Sequence, residues 1–235
     1  MIRGVLLDVD DTLVDTRSAF RAAIATVVDL WLPHLDDAGR EAAVAHWVAD
    51  AHGSFRAYTR GEISMVEQRR RRAARLHADL GGPALDGDLF ALWDETYDQA
   101  FRAAWRPCAD AGPFLDVLDD ARLPRGAVTN APATYQRDKL AAVGLLDRVG
   151  ALVGMEEFGV GKPDRRIFLH ACGTLGLEPA AVAYVGDELD VDARGARDAG
   201  LLGVWLDRHG TGDVPGDVPV VRTLGELPAL LRLST

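Results

Sequence analysis

The sequence predicts an α/β fold in which a doubly wound parallel sheet is interrupted, after its first strand, by a block of helices. In the second half of the chain, short apolar runs rich in Val and Leu alternate with helical patterns. Such alternation is typical of parallel strands that are buried on both faces and connected by helices. Residues 16 to 107, in contrast, carry long helical patterns and no convincing strand. We therefore expect one sheet with a helical insertion.

Each predicted strand is an apolar run bounded by Gly, Asp or Pro. The five runs are residues 5–9, 126–129, 151–153, 182–185 and 201–206. Helical patterns predict helices over 16–32, 38–49, 63–80 and 88–105 in the insertion, and over 113–121, 132–143, 165–175 and 191–199 between the later strands. Pro107 and the turn at residues 111–113 mark the return of the chain to the sheet, and residues 210–219, rich in Gly and Pro, are predicted to form a loop.

The length of 235 residues permits one large domain or two modest ones. Because the helical block lies between the first strand and the rest of the sheet, we expect two nested domains. Residues 1–15 and 108–235 would form the sheet domain, and residues 16–107 would form the helical domain. A chain of this size buries about 70–75% of the surface that its unfolded form exposes, and so we expect it to fold without a disulfide or a structural metal.

Composition and charge exclude several classes of partner. Acidic residues outnumber basic ones by 36 to 26, and the formal charge of −10 disfavours binding to the phosphates of nucleic acid. No apolar stretch approaches the roughly 20 residues of a membrane span, and Asp8 interrupts the apolar N-terminus before a signal peptide could form. Cys108 and Cys172 lack the CxxC spacing of a metal site. We expect a soluble cytoplasmic protein that binds neither nucleic acid nor a membrane.

Three acidic residues, Asp8, Asp10 and Asp11, crowd together where the first predicted strand ends. Like carboxylates a few ångströms apart do not all ionise without a compensating cation. In open α/β sheets the ligand crevice lies outside the carboxyl ends of the strands, which is where these residues fall. The sequence therefore predicts a metal site at this edge.

Polar side chains also follow the other strands. The second run ends in Thr129 and Asn130, the third leads to Lys162 within the segment Gly-Lys-Pro-Asp at 161–164, and the fourth is followed by Asp187 and Asp192. A nucleophile-capable carboxylate, a hydroxyl, a lysine and a second acidic cluster are thus predicted to meet at one edge. The segment around Lys162 fits neither a Walker A nor a GxGxxG fingerprint.

These four segments resemble, in order, the four motifs of the haloacid dehalogenase (HAD) superfamily. They span Asp8 to Asp192, and so the resemblance covers essentially the whole chain. It implies a Rossmann-like core with an all-helical cap of the C1 type, inserted directly after the first motif. Within the insertion, Arg-Gly-Glu-Ile-Ser at 60–64 is similar to a segment frequent in the caps of small-molecule phosphatases.

The resemblance implies that Asp8 is the nucleophile, which attacks phosphorus and forms an aspartyl-phosphate. Asp10 would protonate the leaving group and then accept a proton from water, with its pKa raised for the first role by the neighbouring carboxylates. Lys162 would neutralise charge on the nucleophile and the phosphate, and Thr129 would complete the catalytic set.

The implied cofactor is Mg²⁺, which prefers hard oxygen ligands. The carboxylates of Asp8 and Asp187 and the backbone carbonyl of Asp10 would hold the ion, while Asp192 would orient a metal-bound water. These four residues are the predicted metal site.

The predicted substrate-binding residues are Asp11, Thr129, Asn130 and Lys162. Backbone amides near Asp11 and Asn130, together with the Thr129 hydroxyl, would bind phosphoryl oxygens. Many family members have Gly where this chain has Asp11, and the backbone amide survives that difference.

The function that the resemblance implies is a Mg²⁺-dependent phosphatase of a small phosphorylated metabolite. The alternatives are a 2-haloacid dehalogenase, a phosphomutase and a non-catalytic binding module with the same fold. Asp10 argues against a dehalogenase, because the resemblance implies a tyrosine at this position in those enzymes. Nucleotides, sugar phosphates, phosphoglycolate and flavin mononucleotide remain open as substrates, and the chain is expected to be a monomer or a homodimer.

The remaining polar and aromatic clusters have ordinary structural interpretations. The basic run at residues 69–72, with Arg75, lies on a predicted helix and is expected to be a solvated face. Glu188 and Asp190 are expected to be solvated or helix N-terminal acids. Core packing is the expected role of the tryptophans.

Overall fold

The structure is a computed structural model that describes residues 1–59, 62–157, 159–210 and 215–233. The chain divides into two compact units. One contains Met1–Thr16 and Trp105–Thr235, and the other contains Arg17–Ala104. We call them the sheet unit and the helical unit.

Six parallel strands form the sheet within the described residues. They are β1 (Gly4–Leu7), β2 (Arg125–Thr129), β3 (Ala151–Gly154), β4 (Val182–Gly186), β5 (Leu202–Leu206) and β6 (Val220–Val221), in the spatial order β3-β2-β1-β4-β5-β6. This is a doubly wound order, with β1 and β4 adjacent at the point where the order reverses. The predicted fold class is confirmed. The prediction did not include β6, because two residues are too few to form a pattern.

The helices of the insertion are α1 (Thr16–Trp31), α2 (Asp37–Ala49), α3 (Ser54–Thr59), α4 (Met65–Leu80) and α5 (Gly87–Ala103). Four of them lie close to their predicted ranges, and the short α3 was not predicted. Helix α4 begins two residues later than expected because the Ser64 side chain accepts a hydrogen bond from the Glu67 amide, at 3.1 Å, and caps the helix.

Helices α6 (Ala111–Asp120), α7 (Ala133–Ala142), α8 (Arg165–Thr174), α9 (Gly195–Asp198) and α10 (Leu227–Leu231) belong to the sheet unit. A π-helical segment, Leu189–Arg194, leads into α9 where the sequence predicts a continuous helix. Side chains alternate between the two faces of the sheet, as strands require. Val5 and Leu7 join one buried apolar cluster, whereas Leu6 joins the cluster on the other face.

Aromatic rings fill the interior of the helical unit. Trp47 and Tyr97 pack against Trp93, with ring centroids 5.5 and 5.6 Å away. The buried Trp93 indole donates a hydrogen bond to His77 Nε2 at 3.0 Å. These tryptophans pack in the core, as predicted.

The basic run on α4 is only partly a solvated face, and the expectation is wrong for two of its four members. Arg69 is buried and pairs with Asp94 at 2.8 Å. The Arg72 guanidinium lies 3.9 Å from the centroid of the Trp47 ring, which is a cation–π contact. Four consecutive residues surround a helix, so that two of them must turn toward the neighbouring helices.

None of the helices in the described part of the chain is long and apolar enough to cross a membrane. Both cysteines are buried free thiols.

Candidate active site

The nucleophile candidate lies where β1 gives way to a loop, which we call the acid loop (residues 8–14). The Asp8 amide donates to the Val185 carbonyl on β4 at 2.9 Å, and so the ladder continues one residue past the strand. The Asp8 side chain is buried. Burial raises its pKa to about 8, although the charge of Lys162 acts in the opposite direction.

Arg208 fixes the acid loop from the carboxyl end of β5. Its guanidinium donates to the Asp11 and Thr12 carbonyl oxygens at 3.0 and 2.8 Å. It also forms two hydrogen bonds with the Asp110 carboxylate, at 2.8 and 2.9 Å. Arg208 lies in none of the recognised motifs, and so the sequence alone does not indicate its role.

Asp11 has a φ of 55°, in the left-handed region where glycine has no steric cost. This explains why the fold favours glycine at that position. The Asp11 amide donates to the Val14 carbonyl at 2.7 Å and is therefore used inside the loop. That bond argues against the Asp11 amide as a donor to a phosphoryl group.

The Lys162 ammonium is buried and donates three hydrogen bonds. They run to Asp8 Oδ1 at 2.5 Å, to Asp192 Oδ1 at 2.7 Å and to the Tyr184 hydroxyl at 2.9 Å. An ammonium has three hydrogens, so all of its donors are satisfied. Burial alone would lower the pKa of Lys162, but the charges of Asp192 and Asp8 hold it well above the ordinary value. The lysine stays charged beside the nucleophile candidate.

Tyr184 and Gly186 hold Asp192 in this network. The Tyr184 hydroxyl lies 3.0 Å from Asp192 Oδ1, and a Cβ built on Gly186 would fall 2.3 Å from the Asp192 carboxyl carbon. Only glycine permits that approach. The sequence alone does not indicate this role for Tyr184, because an aromatic residue in a buried strand is typical of core packing.

Carboxylate oxygens of Asp8, Asp187 and Asp192 all lie within 4.8 Å of one another. Burial raises the pKa of Asp187 to about 9, and the negative charge of Asp8 adds to the effect. Three hard oxygen donors that repel one another are the ligand chemistry that a divalent cation such as Mg²⁺ satisfies. The residues present therefore fit a metal ion. Asp192 is also held by Lys162, Tyr184 and the Glu188 amide.

Asp10 lies in a different environment from the one expected. Its Oδ1 accepts hydrogen bonds from the Thr16 hydroxyl, at 2.5 Å, and from the Lys139 ammonium, while its Oδ2 accepts from Gln136 Nε2 at 2.5 Å. Burial raises the pKa of Asp10, but the charge of Lys139 and the three hydrogen bonds lower it more, and the net pKa lies below the ordinary value. The expectation that neighbouring carboxylates raise this pKa is wrong, because a lysine outside the four motifs compensates the charge.

Thr129 ends β2, and its hydroxyl oxygen accepts hydrogen bonds from the Ala131 amide at 3.1 Å and from Gln136 Nε2 at 3.0 Å. Asn130 does not point into the same network. Its side-chain amide donates to the Lys162 carbonyl at 2.9 Å and accepts from the Lys162 amide at 2.6 Å. Asn130 thus holds the backbone of Lys162 through both its amide and its carbonyl. A Cβ built on Gly161 would lie only 2.4 Å from Asn130 Oδ1.

Asp190 is exposed and pairs with Arg194 at 2.7 Å, as expected of a solvated acid. The cap segment at 60–64 falls partly on residues 60 and 61, which are outside the described residues.

The fold and the site together define an α/β protein whose sheet edge combines a buried aspartate–lysine pair with a cluster of carboxylates. The chain belongs to the haloacid dehalogenase-like hydrolase family, whose model matches residues 2–200. The resemblance deduced from the four motifs is confirmed.

A curated relative from Methanopyrus kandleri is 32% identical over 88% of this chain and 85% of its own length, and it is named glyceraldehyde 3-phosphate phosphatase. Several other curated relatives are also named as phosphatases. Among solved structures, a HAD-hydrolase from Bacillus subtilis bound to magnesium has a TM-score of 0.78 at 23% identity, over 98% of both chains. A 2-haloacid dehalogenase from Pseudomonas syringae has a TM-score of 0.63 at 26% identity, over 99% of both chains.

Proposed function

We propose that this chain is a Mg²⁺-dependent phosphatase that hydrolyses a small phosphorylated metabolite through an aspartyl-phosphate on Asp8. The observation that carries the proposal is the Lys162 ammonium between Asp8 and Asp192, at 2.5 and 2.7 Å, beside the oxygen cluster that Asp187 completes. Phosphatase names among the relatives support the same class of reaction, a phosphoric monoester hydrolase.

In the first half of the reaction, a carboxylate oxygen of Asp8 attacks the phosphorus of the ester. A bond forms between Asp8 and phosphorus, the bond between phosphorus and the ester oxygen breaks, and the leaving alcohol takes a proton from Asp10. A bound phosphate dianion raises the pKa of a nearby carboxyl group, which favours the protonated form of Asp10 that this step uses.

In the second half, Asp10 takes a proton from water while the water oxygen attacks phosphorus. The bond between phosphorus and Asp8 breaks, which frees the Asp8 carboxylate and releases inorganic phosphate. The hydrogen bonds that hold Asp10 in its charged form suit the base role in this step.

The other residues of the site compensate charge. Lys162 is a fixed cation at Asp8, and a cation aimed at the place where charge develops lowers the barrier. Both acceptor sites of the Thr129 oxygen are occupied, so that its hydroxyl hydrogen remains to donate to a phosphoryl oxygen.

Asp8 and Asp187 would hold the Mg²⁺ ion through their carboxylates, together with the backbone carbonyl of Asp10. Asp192 would not bind the ion directly and would instead orient a water molecule beside it. When bound, the ion supplies compensation for the negative charges of the phosphoryl group and the carboxylates.

The helical unit is proposed to act as the cap that selects the substrate. Its support is its place in the chain, because the insertion follows the acid loop directly and the sheet resumes after it. The relatives are named for different phosphorylated substrates, and one fold serves many substrates through differences outside its shared core. We therefore expect the cap to determine substrate choice.

The test is hydrolysis of p-nitrophenyl phosphate with Mg²⁺, with EDTA, and with Mg²⁺ restored after EDTA. We expect turnover that EDTA stops and Mg²⁺ restores, and that Asp8→Asn abolishes. Asp190→Asn is a matched control. Asp190 is an exposed acidic residue close in sequence to Asp187 and Asp192, and it pairs with Arg194. Metal-independent turnover of 2-chloropropionate without phosphatase activity would instead establish a dehalogenase.

A released-phosphate screen across nucleotides, sugar phosphates, phosphoglycolate and flavin mononucleotide then identifies the substrate class. The compounds are compared by kcat/KM, since that ratio measures discrimination between substrates.

A further inference from the structure

Helix α7 contributes two buried polar side chains that the four motifs do not include. Gln136 and Lys139 lie three residues apart, so they share one face of the helix. Gln136 is 0% exposed and Lys139 is 2% exposed, which is unusual for polar side chains of this length. Both contact the carboxylate of Asp10.

Lys139 provides the charge in this contact. Its ammonium forms an ion pair with Asp10 Oδ1. Two aromatic rings flank the ammonium, with the centroids of Tyr135 and Trp105 at 5.2 and 5.7 Å. The rings themselves pack edge to face, with centroids 5.8 Å apart. A buried lysine is tolerated when it is paired, and this pocket leaves its ammonium directed at Asp10.

Gln136 provides the link between two functional groups. Its Nε2 donates one hydrogen bond to Asp10 Oδ2 at 2.5 Å and another to Thr129 Oγ1 at 3.0 Å. A carboxylate accepts only, so the contact with Asp10 assigns the donor end of the amide. Thr129 also accepts from the Ala131 amide. One amide nitrogen therefore fixes the distance between the carboxylate and the hydroxyl.

We propose that Gln136 and Lys139 are positioning residues that hold the Asp10 carboxylate relative to the Thr129 hydroxyl. The inference rests on the proposed function, in which Asp10 transfers the proton to the leaving group and Thr129 contacts the phosphoryl group. In this proposal both α7 residues contact the Asp10 carboxylate rather than the phosphoryl group or the leaving group. They act through Asp10, and their effect is greatest where the reaction depends most on proton transfer to the leaving group.

The experiment compares two esters that differ only in the leaving group. Phenyl phosphate releases the more basic phenol and needs the proton, whereas p-nitrophenyl phosphate releases a more acidic phenol and needs it less. kcat/KM is measured for both, because it covers the steps up to release of the phenol. Removal of the lysine charge also raises the pKa of Asp10 and so favours its acid form, but we expect the loss of carboxylate positioning to outweigh this effect. Lys139→Met should then lower kcat/KM about 10-fold more for phenyl phosphate than for p-nitrophenyl phosphate, which is a part of a full general-acid contribution.

The matched control is Arg137→Met, which removes a basic side chain from an exposed position on the same helix. This variant should leave kcat/KM unchanged for both esters. The second variant is Lys139→Gln, which keeps a hydrogen-bond donor without the charge. Its kcat/KM should also fall more for phenyl phosphate than for p-nitrophenyl phosphate, but both decreases should be smaller than in Lys139→Met. In the Asp10→Asn background, Lys139→Met should add no further leaving-group dependence, because the group through which it acts is absent.

The inference is overturned if Lys139→Met and Lys139→Gln lower kcat/KM equally for the two esters. It is also overturned if the difference between the esters persists when the same substitutions are made in the Asp10→Asn background. Those results would leave the proposed function intact, since wild-type turnover of both esters and its loss in Asp8→Asn test that function separately. A wild-type chain that hydrolyses neither ester would overturn the proposed function and this inference with it.

Discussion

Lys162 Nζ lies 2.5 Å from Asp8 Oδ1, although 154 residues separate the two along the chain. The pair forms because β1 and the loop after β3 deliver both side chains to the same edge of the sheet. Asp192 shares the ammonium at 2.7 Å, so that one buried cation faces two buried carboxylates.

Removal of Lys162 should therefore damage both stability and activity. Lys162→Met leaves Asp8 and Asp192 without their cation, and breaking a buried pair in this way costs about 3–5 kcal/mol. Urea denaturation measures the loss, and kcat/KM with p-nitrophenyl phosphate should fall in parallel. Arg165→Met is the control at an exposed position of α8, with an expected change within about 0.5 kcal/mol. A Lys162→Met chain as stable as the wild type would contradict the burial and pairing described above.

Gly186 should not tolerate a side chain. The Cβ of Gly186→Ala would meet the carboxyl group of Asp192 at 2.3 Å, and overpacking of this kind costs about 1–3 kcal/mol. Displacement of Asp192 also loosens Lys162, so activity should fall together with the melting temperature. Gly173→Ala is the matched control, because a Cβ there meets no heavy atom within 4 Å. It should leave activity unchanged and stabilise α8 by up to about 1 kcal/mol. Equal effects of the two substitutions would count against the role of Gly186.

Asp187→Asn should stabilise the metal-free chain and weaken its response to Mg²⁺. The folded chain raises the pKa of Asp187 from 3.8 to about 9, and the ionised carboxylate therefore opposes folding near neutral pH. In EDTA, stability conferred by the protonated form is present at low pH and is lost as the pH rises toward 9.

Thermal unfolding in EDTA and across a Mg²⁺ titration measures both effects. Wild type should gain melting temperature as Mg²⁺ is added, because the ion binds the folded state. Asp187→Asn should start higher in EDTA and gain less. An unchanged Mg²⁺ response in Asp187→Asn would remove this residue from the metal site.

Asp110 should stabilise the chain at neutral pH and lose that effect in acid. Burial raises its pKa, but the hydrogen bonds from Arg208 and the Leu224 amide lower it more, so that the net pKa lies below 3.8. A depressed carboxyl pKa gives stability that is complete above the unfolded pKa and disappears as the pH falls through the folded pKa. The difference in melting temperature between wild type and Asp110→Asn should therefore be full at pH 7 and narrow below about pH 3.8.

Asp116→Asn is the comparison for Asp110. Asp116 also pairs with an arginine, Arg148, but its side chain is 69% exposed. Exposed pairs contribute about 0–1 kcal/mol. A larger loss of melting temperature in Asp116→Asn than in Asp110→Asn would contradict the stabilising role given to the contact between Asp110 and Arg208.

The sequence predicted the sheet and the residues at its strand ends because both signals are local. Apolar runs mark β1, β2 and β4, and the residue after each run is readable without knowledge of the fold. Lys162 was expected at the same edge because it follows the third run, but its role needed the resemblance to a known family, since the loop before it has no regular pattern. The two-residue β6 gave no periodic signal.

The surroundings of Asp10 could not be predicted in the same way. Lys139 lies 129 residues from Asp10, on a helix whose polar side chains look like an exposed face in the sequence. Only the placement of α7 beside the acid loop turns Gln136 and Lys139 inward, and that placement is a property of strand order. The same long-range packing gave Arg208 and Tyr184 their partners.

The most direct test of the account is to trap the phosphate on Asp8. Enzyme turning over p-nitrophenyl phosphate with Mg²⁺ is quenched in acid and reduced with borohydride, which converts an acyl phosphate to an alcohol, and its peptides are then analysed by mass spectrometry. We expect reduction at Asp8, with a higher yield in Asp10→Asn because hydrolysis of the intermediate then lacks its base. Reduction at another residue, or none in either protein during active turnover, would contradict this expectation.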